Sequence, residues 1–261
     1  MKFRPCIDIH NGSVKQIVGG TLSDRGNQAE DNFVSEYDAA FYANMYREDG
    51  LTGGHIILLN KADSEYYEAD LAQAKEALTA FRRGLQIGGG VNLQNAESFL
   101  DMQASHVIVT SFVFRDGRID WDHLKQLVSL VGREHLVLDL SCRFVQDDYY
   151  IVTDRWQKVT KQHFSVETLE MLSEYCDEFL VHAVDVEGKT SGIEKQVIQR
   201  MGQFQGCPMT YAGGIHSPQD LQYIAKAANE TVDYTIGSAL DLFGGSIAYK
   251  SIVSGEFAGA M

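Results

Sequence analysis

Eight short apolar runs punctuate the chain, at 3–9, 55–59, 84–88, 106–110, 135–140, 178–184, 207–212 and 232–236. Their length and continuity suit buried strands. Between them the pattern changes to a helical period. In YEADLAQAKEALTAFRRG the apolar residues Leu71, Ala74, Leu78 and Phe81 recur on one face, and Gly84 stops the run. SVETLEMLSEYC starts on Ser165 as a cap and lines up Leu169, Leu172 and Tyr175. HSPQDLQYIAKAAN sets Ser217 at the cap and Pro218 at the first helical position. Strand and helix alternate eight times with no break in composition. That predicts an α/β chain with a single domain over 1–261, folded as a parallel (βα)8 TIM barrel, for which roughly 250 residues is typical. A doubly wound open sheet is the rival arrangement of the same elements.

The pattern also repeats. LQIGGGVNLQNAESFL is echoed by MTYAGGIHSPQDLQYI, which pairs Gly89 with Gly213 and Gly90 with Gly214. VIVTSFVF is echoed by YTIGSALD, pairing Ser111 with Ser238, and CIDI by VLDL, pairing Asp8 with Asp139. Three matches in one order, all offset by roughly 124 to 131 residues, predict two half-barrels, about 1–130 and 131–261. The two longest connections, 10–32 and 142–164, follow strands 1 and 5 and obey the same symmetry. Loops of that length in a compact domain usually bind or cover a ligand.

Composition narrows the class. The 261 residues are 44% hydrophobic with three prolines, so the chain can bury a large core. No apolar run is long enough to cross a bilayer, and no signal peptide is evident. Cys6, Cys142, Cys176 and Cys207 are scattered without metal-ligand or disulfide spacing, which predicts a reduced, cytoplasmic chain with no metal site. A formal net charge of -14 argues against a nucleic-acid or anionic-membrane partner. Any anionic ligand must therefore be held by local dipoles.

Such dipoles are available at four strand ends. Gly89 and Gly90 close strand 3, Thr110 and Ser111 close strand 4, Gly213 and Gly214 close strand 7, and Gly237 and Ser238 close strand 8. Each can offer bare amides, a hydroxyl or a helix N-terminus to a phosphate. Two such cradles predict a small-molecule bis-phosphate ligand whose middle lies over strands 1 and 5. There Asp8 and Asp139 stand at the ends of apolar runs, where a carboxylate has no packing role and suits acid–base work. His10 and His182 also lie near strand ends, where either could touch substrate.

Seven stretches carry a family resemblance: CIDIHNGSVKQIVGG, LQIGGGVNLQNAESFL, LVLDLSCR, TDRWQKVT, VHAVDVEGKTSGIE, TYAGGIHSPQDL and YTIGSAL. Together they resemble the phosphoribosylformimino-5-aminoimidazole carboxamide ribotide isomerases of histidine biosynthesis, in a wording closer to fungal and plant forms than to bacterial ones. The resemblance implies a (βα)8 barrel that performs an Amadori rearrangement on a bis-phosphorylated aminoaldose without cofactor or metal. It implies Asp8 as general base and Asp139 as general acid, with Trp156 stacking on the substrate's imidazole. Three departures stand out: Asn92 after the strand 3 glycines, Asn60 and Lys61 after strand 2, and Glu187 where the family has an aspartate also proposed as the acid. The sister cyclase of imidazole glycerol phosphate synthase and a non-catalytic bis-phosphate sensor share much of this pattern. A monomer is expected.

Overall fold

The computed structural model describes residues 1–17, 21, 31–189 and 191–259. All eight predicted strands are present: β1 (Cys6–His10), β2 (Gly54–Leu58), β3 (Leu85–Gly88), β4 (Val107–Val109), β5 (Leu136–Asp139), β6 (Glu178–His182), β7 (Met209–Ala212) and β8 (Val232–Tyr234). Each pairs in parallel with the next along the chain. The first and last meet as well. Phe3 bridges Tyr234 in parallel, the Arg4 amide donates to the Tyr234 carbonyl at 2.8 Å, and the Tyr234 amide donates to Lys2 at 3.0 Å. The sheet thereby closes into a barrel, and the open-sheet alternative falls away.

Helices α1 (Ala39–Glu48), α2 (Tyr67–Ala80), α3 (Ala96–Asp101), α4 (Trp121–Val131), α5 (Val166–Ser173), α6 (Lys195–Gln203), α7 (Pro218–Ala227) and α8 (Tyr249–Val253) follow the strands in turn. The predicted caps hold. Ser165 accepts from the Thr168 amide, and Ser217 forms a reciprocal capping box with Asp220 ahead of Pro218.

Strand parity places the chemistry. Ile108, Val137 and Leu180 form an apolar cluster with Ile57. Side chains repeat on one face of a strand every second residue. Two steps beyond Val137 and Leu180 therefore come Asp139 and His182, at the C-terminal ends of β5 and β6. At the opposite end Glu178 is satisfied by Gln86 at 2.9 Å and Thr210 at 2.7 Å, so that end is sealed by a hydrogen-bonded polar layer.

The connections expected as loops are largely strands. Asn11 and Gly12, with φ of 52° and 77°, make a tight reversal after β1. The return strand Ser13–Ile17 pairs antiparallel with β1 and with Asp31–Val34. Residues 18–20 and 22–30 of the predicted 10–32 connection lie outside the described residues. The 142–164 connection is a three-stranded antiparallel sheet of Cys142–Val145, Asp148–Thr153 and Lys158–His163. It is tied to α6 by the Arg200–Asp148 ion pair, and the Tyr149 hydroxyl donates to Glu194 just before that helix.

Candidate active site

The C-terminal ends of the strands surround a cavity of about 300 Å³. Both aspartates, the four strand-end pairs, Trp156 and Glu187 line it, and Asn92 does not. Of the two strand-end histidines expected to reach substrate, His182 lines it and His10 does not.

The two glycine turns match in backbone conformation. Gly89 and Gly90 have φ of 109° and 70°, and Gly213 and Gly214 have 126° and 71°. L-residues rarely adopt such values, which explains why both turns use glycine. The repeat extends to the carbonyl of each second glycine. Asn92 donates to Gly90 at 3.1 Å, and the equivalent His216 meets Gly214 at 3.3 Å. Among the described residues, the amides of Gly90, Gly214 and Ser238 have no hydrogen-bond partner. They are free to donate to a ligand in the cavity.

The cradles differ in room. A Cβ on Gly90 would meet nothing within 4 Å, whereas one on Gly214 would lie 2.0 Å from the Gly192 carbonyl. The expected helix N-terminal donors are also partly consumed. Asp220 accepts from the His216 and Ser217 amides at 3.1 and 3.0 Å, and Asn95 accepts from Asn92 at 2.8 Å. The Ser111 hydroxyl accepts from the Asp154 amide at 2.8 Å, so the strand 5 hairpin rests on the first cradle. At its tip Asp154, Arg155 and Trp156 take φ of 52°, 54° and 68° in succession. Three consecutive left-handed residues are strained and must be over-determined by their surroundings.

Asp8 and Asp139 sit in opposite environments. Burial, reinforced by the Glu187 carboxylate, pushes the Asp8 carboxyl up to about 7, against the opposing effects of His182 and Gln16. Gln16 arrives on the return strand, is nearly inaccessible, and donates its amide to Asp8 Oδ2 at 3.1 Å. Burial raises Asp139 too, but His182 and Ser141 outweigh it and leave the carboxyl below its ordinary value. The Ser141 amide and hydroxyl both donate to Asp139 Oδ1, at 2.9 and 2.7 Å. His182 Nδ1 lies 3.5 Å from the same oxygen. Burial would lower the His182 imidazole, yet Asp139, Glu187 and Asp8 together push it up to about 9. Its neighbour His55 goes the other way, driven down to about 3 by burial and by the His182 charge. Burial also raises Glu187, whose Oε2 is enclosed without a hydrogen-bond partner among the described residues.

At neutral pH this gives an ionised Asp139, a charged His182 and a half-ionised Asp8. The expectation of a proton on Asp139 runs opposite to its surroundings. A lone histidine at the end of an apolar run gives little warning of this, because its charge comes from carboxylates on β1, β5 and the turn after β6. Among the described residues no group of metal-ligating side chains converges.

A closed parallel barrel with two matching glycine turns and a cluster of ionisable side chains at its C-terminal mouth defines a barrel enzyme for a small-molecule substrate. The chain belongs to the family described as histidine biosynthesis protein, which it matches over residues 2–247. It is 50% identical over 258 residues to a chloroplastic 1-(5-phosphoribosyl)-5-((5-phosphoribosylamino)methylideneamino)imidazole-4-carboxamide isomerase of Medicago truncatula, covering 97% of this chain and 81% of that one. Isomerases of the same name from Yarrowia lipolytica and Saccharomyces cerevisiae are 43% and 38% identical. The first match covers 94% of this chain and 93% of the relative, the second 94% of each.

Proposed function

We propose that this chain is the aldose–ketose isomerase of histidine biosynthesis that converts the bis-phosphorylated aminoaldose named in its relatives to its ketose isomer. One observation carries the reading: a half-buried carboxylate poised near neutrality, Asp8, shares a cavity with two glycine turns of matching conformation. A general base works best with proton affinity near the working pH, and Asp8 meets that condition. One phosphate is held by Gly89, Gly90, Thr110 and Ser111, and the other by Gly213, Gly214, Gly237 and Ser238. The chemistry between them needs one group to protonate the ribose ring oxygen and another to take the C2 proton. Asp8 is the base, Asp139 governs the acid half, and Trp156 lies where it can stack on the imidazole. We read the chain as one domain of two half-barrels that works as a monomer in the cytoplasm, with no resident cofactor. The free cysteines support a reducing compartment, and among the described residues no helix is long and apolar enough to cross a membrane.

The test is incubation with the aminoaldose, followed by ultraviolet absorbance and chromatography. Complete conversion to the ketose without ammonia is expected. No conversion, or cleavage of the ketose only when ammonia is added, would refute the reading.

A further inference from the structure

We propose that His182 is the proton donor of the ring-opening step and that Asp139 is its anchoring counter-charge rather than the acid itself. This rests on the isomerase reading above.

The direction of the Ser141 hydrogen bonds to Asp139 is fixed. The Trp156 indole N–H has no acceptor capacity, so in its 3.0 Å contact with Ser141 Oγ it is the donor. The Ser141 hydroxyl therefore turns its own hydrogen to Asp139 Oδ1 at 2.7 Å, alongside the Ser141 amide at 2.9 Å. His182 Nδ1 lies 3.5 Å from the same oxygen and is a third donor there when the ring carries both protons. That arrangement holds an acceptor, and donors to an ionised carboxylate favour its charged form. It does not suit a group that must arrive protonated.

His182 suits that task. It is 9% exposed, and with Nδ1 toward Asp139 its Nε2 lies on the far edge of the ring. The ionisable groups around it are Asp8 on β1, His55 on β2, Asp139 on β5 and Glu187 after β6, and Arg155 of the strand 5 hairpin lines the same cavity. His55 meets it nearly perpendicular, with ring centroids 6.1 Å apart, and the Trp156 ring lies at 5.8 Å. The three carboxylates keep the imidazole charged at neutral pH, so a proton is present before substrate arrives.

The steps balance. Nε2–H gives its proton to the ribose ring oxygen as the C1–O bond breaks, and the amine lone pair forms the C1=N iminium. Asp8 takes the C2 proton, and the C–H electrons form the C1=C2 enolamine while the iminium pair returns to nitrogen. Asp8 then delivers its proton to C1. Neutral His182 recovers a proton from the C2 hydroxyl as the ketone forms. Both residues end as they began.

The test compares His182→Asn and His182→Gln with the wild-type enzyme, each checked for folding by circular dichroism. His182→Asn can still donate an amide N–H to Asp139 but has no transferable proton. Its kcat is expected to fall about 10²–10⁴-fold, as for lost acid–base groups, with KM within about threefold. The wild-type basic limb, where activity falls as the imidazolium deprotonates, should vanish. In Asp139→Asn the imidazolium loses its counter-charge, so the basic limb should move down in pH. Independently, ¹⁵N spectra of the labelled wild-type imidazole in inorganic phosphate should show His182 charged at pH 7. Normal wild-type turnover with His182→Asn within threefold of it, or a neutral His182 at pH 7, would overturn the proposal while leaving the isomerase reading intact. Failure of the wild-type protein to isomerise the aminoaldose would overturn that reading, and this proposal with it.

Discussion

Asp8→Asn should abolish turnover and, at alkaline pH, stabilise the fold. The second effect can be worked from the structure. Asp8 titrates near 7 when folded, against about 3.9 in an unfolded chain. Between those values the folded state holds a proton that the unfolded state has released, so stability falls as pH rises. The slope is about 1.36 kcal/mol per pH unit. From pH 5 to pH 7 the integrated loss is about 2.3 kcal/mol, because the folded carboxyl begins to ionise as pH nears 7, and above 7 the loss levels off. At pH 5 the protonated aspartic acid and asparagine have nearly the same shape and charge, and either can accept from Gln16. The unfolded wild-type chain has already released its proton at pH 5, so the variant should exceed wild type by about 1.5 kcal/mol there, and the gap should widen by about 2–3 kcal/mol at pH 8. For a chain of this size that is roughly 5–10 °C in Tm. Urea unfolding followed by circular dichroism at both pH values, in phosphate-free buffer, measures it. Taking the difference between the two pH values cancels any pH-independent effect of the substitution. An equal stability gap at pH 5 and pH 8 would show that Asp8 is not held near neutrality, and the base assignment would lose its physical support.

Gly90→Val places a β-branched side chain at φ 70° in the space left for a phosphate. It should lose about 1–2 kcal/mol of stability to backbone strain and raise KM about tenfold or more, which calorimetry and steady-state kinetics resolve separately. Gln16→Leu removes the donor to Asp8 at similar volume, so the acidic limb of kcat/KM should move up from about 7. Glu187→Gln removes the repelling charge, so the same limb should move down. Shifts in the same direction would refute this account of Asp8.

The barrel was legible because its strands are buried and continuous. Phe3 and Pro5 show why strand ends were not. The 3–9 run reads as one strand, but Pro5 has no amide to give, and the chain makes one bridge at Phe3 before β1 begins at Cys6. The antiparallel excursions escaped for a different reason. Segments such as SVKQI and KVTKQH are short, half-polar and flanked by turn residues, and they become strands only by pairing with neighbours. The site divides the same way. Asp8 and Asp139 were visible because a carboxylate at the end of an apolar run is anomalous by itself. Gln16 was not, and His182 was visible only as a strand-end residue, since the role of each comes from a partner 8 or 43 residues away in sequence.

Local charge also answers how a chain of net charge -14 can hold a doubly anionic ligand. Three carboxylates around an empty cavity would repel it. In the folded site the count is smaller, because Asp8 is half-protonated near pH 7 and burial raises Glu187. Asp139 is offset by His182. On the proposed reading, donors to phosphate include the unpartnered amides of Gly90, Gly214 and Ser238, whose dipoles act at contact range and do not depend on the protein's overall field. The same proximity explains why Asp8 needs Gln16. A bound dianion raises the proton affinity of a nearby carboxylate, and a base already near 7 would lose its ionised form on binding. Gln16 and His182 both oppose that rise. Gln16 does so with a neutral amide that adds no charge to compete for the phosphates.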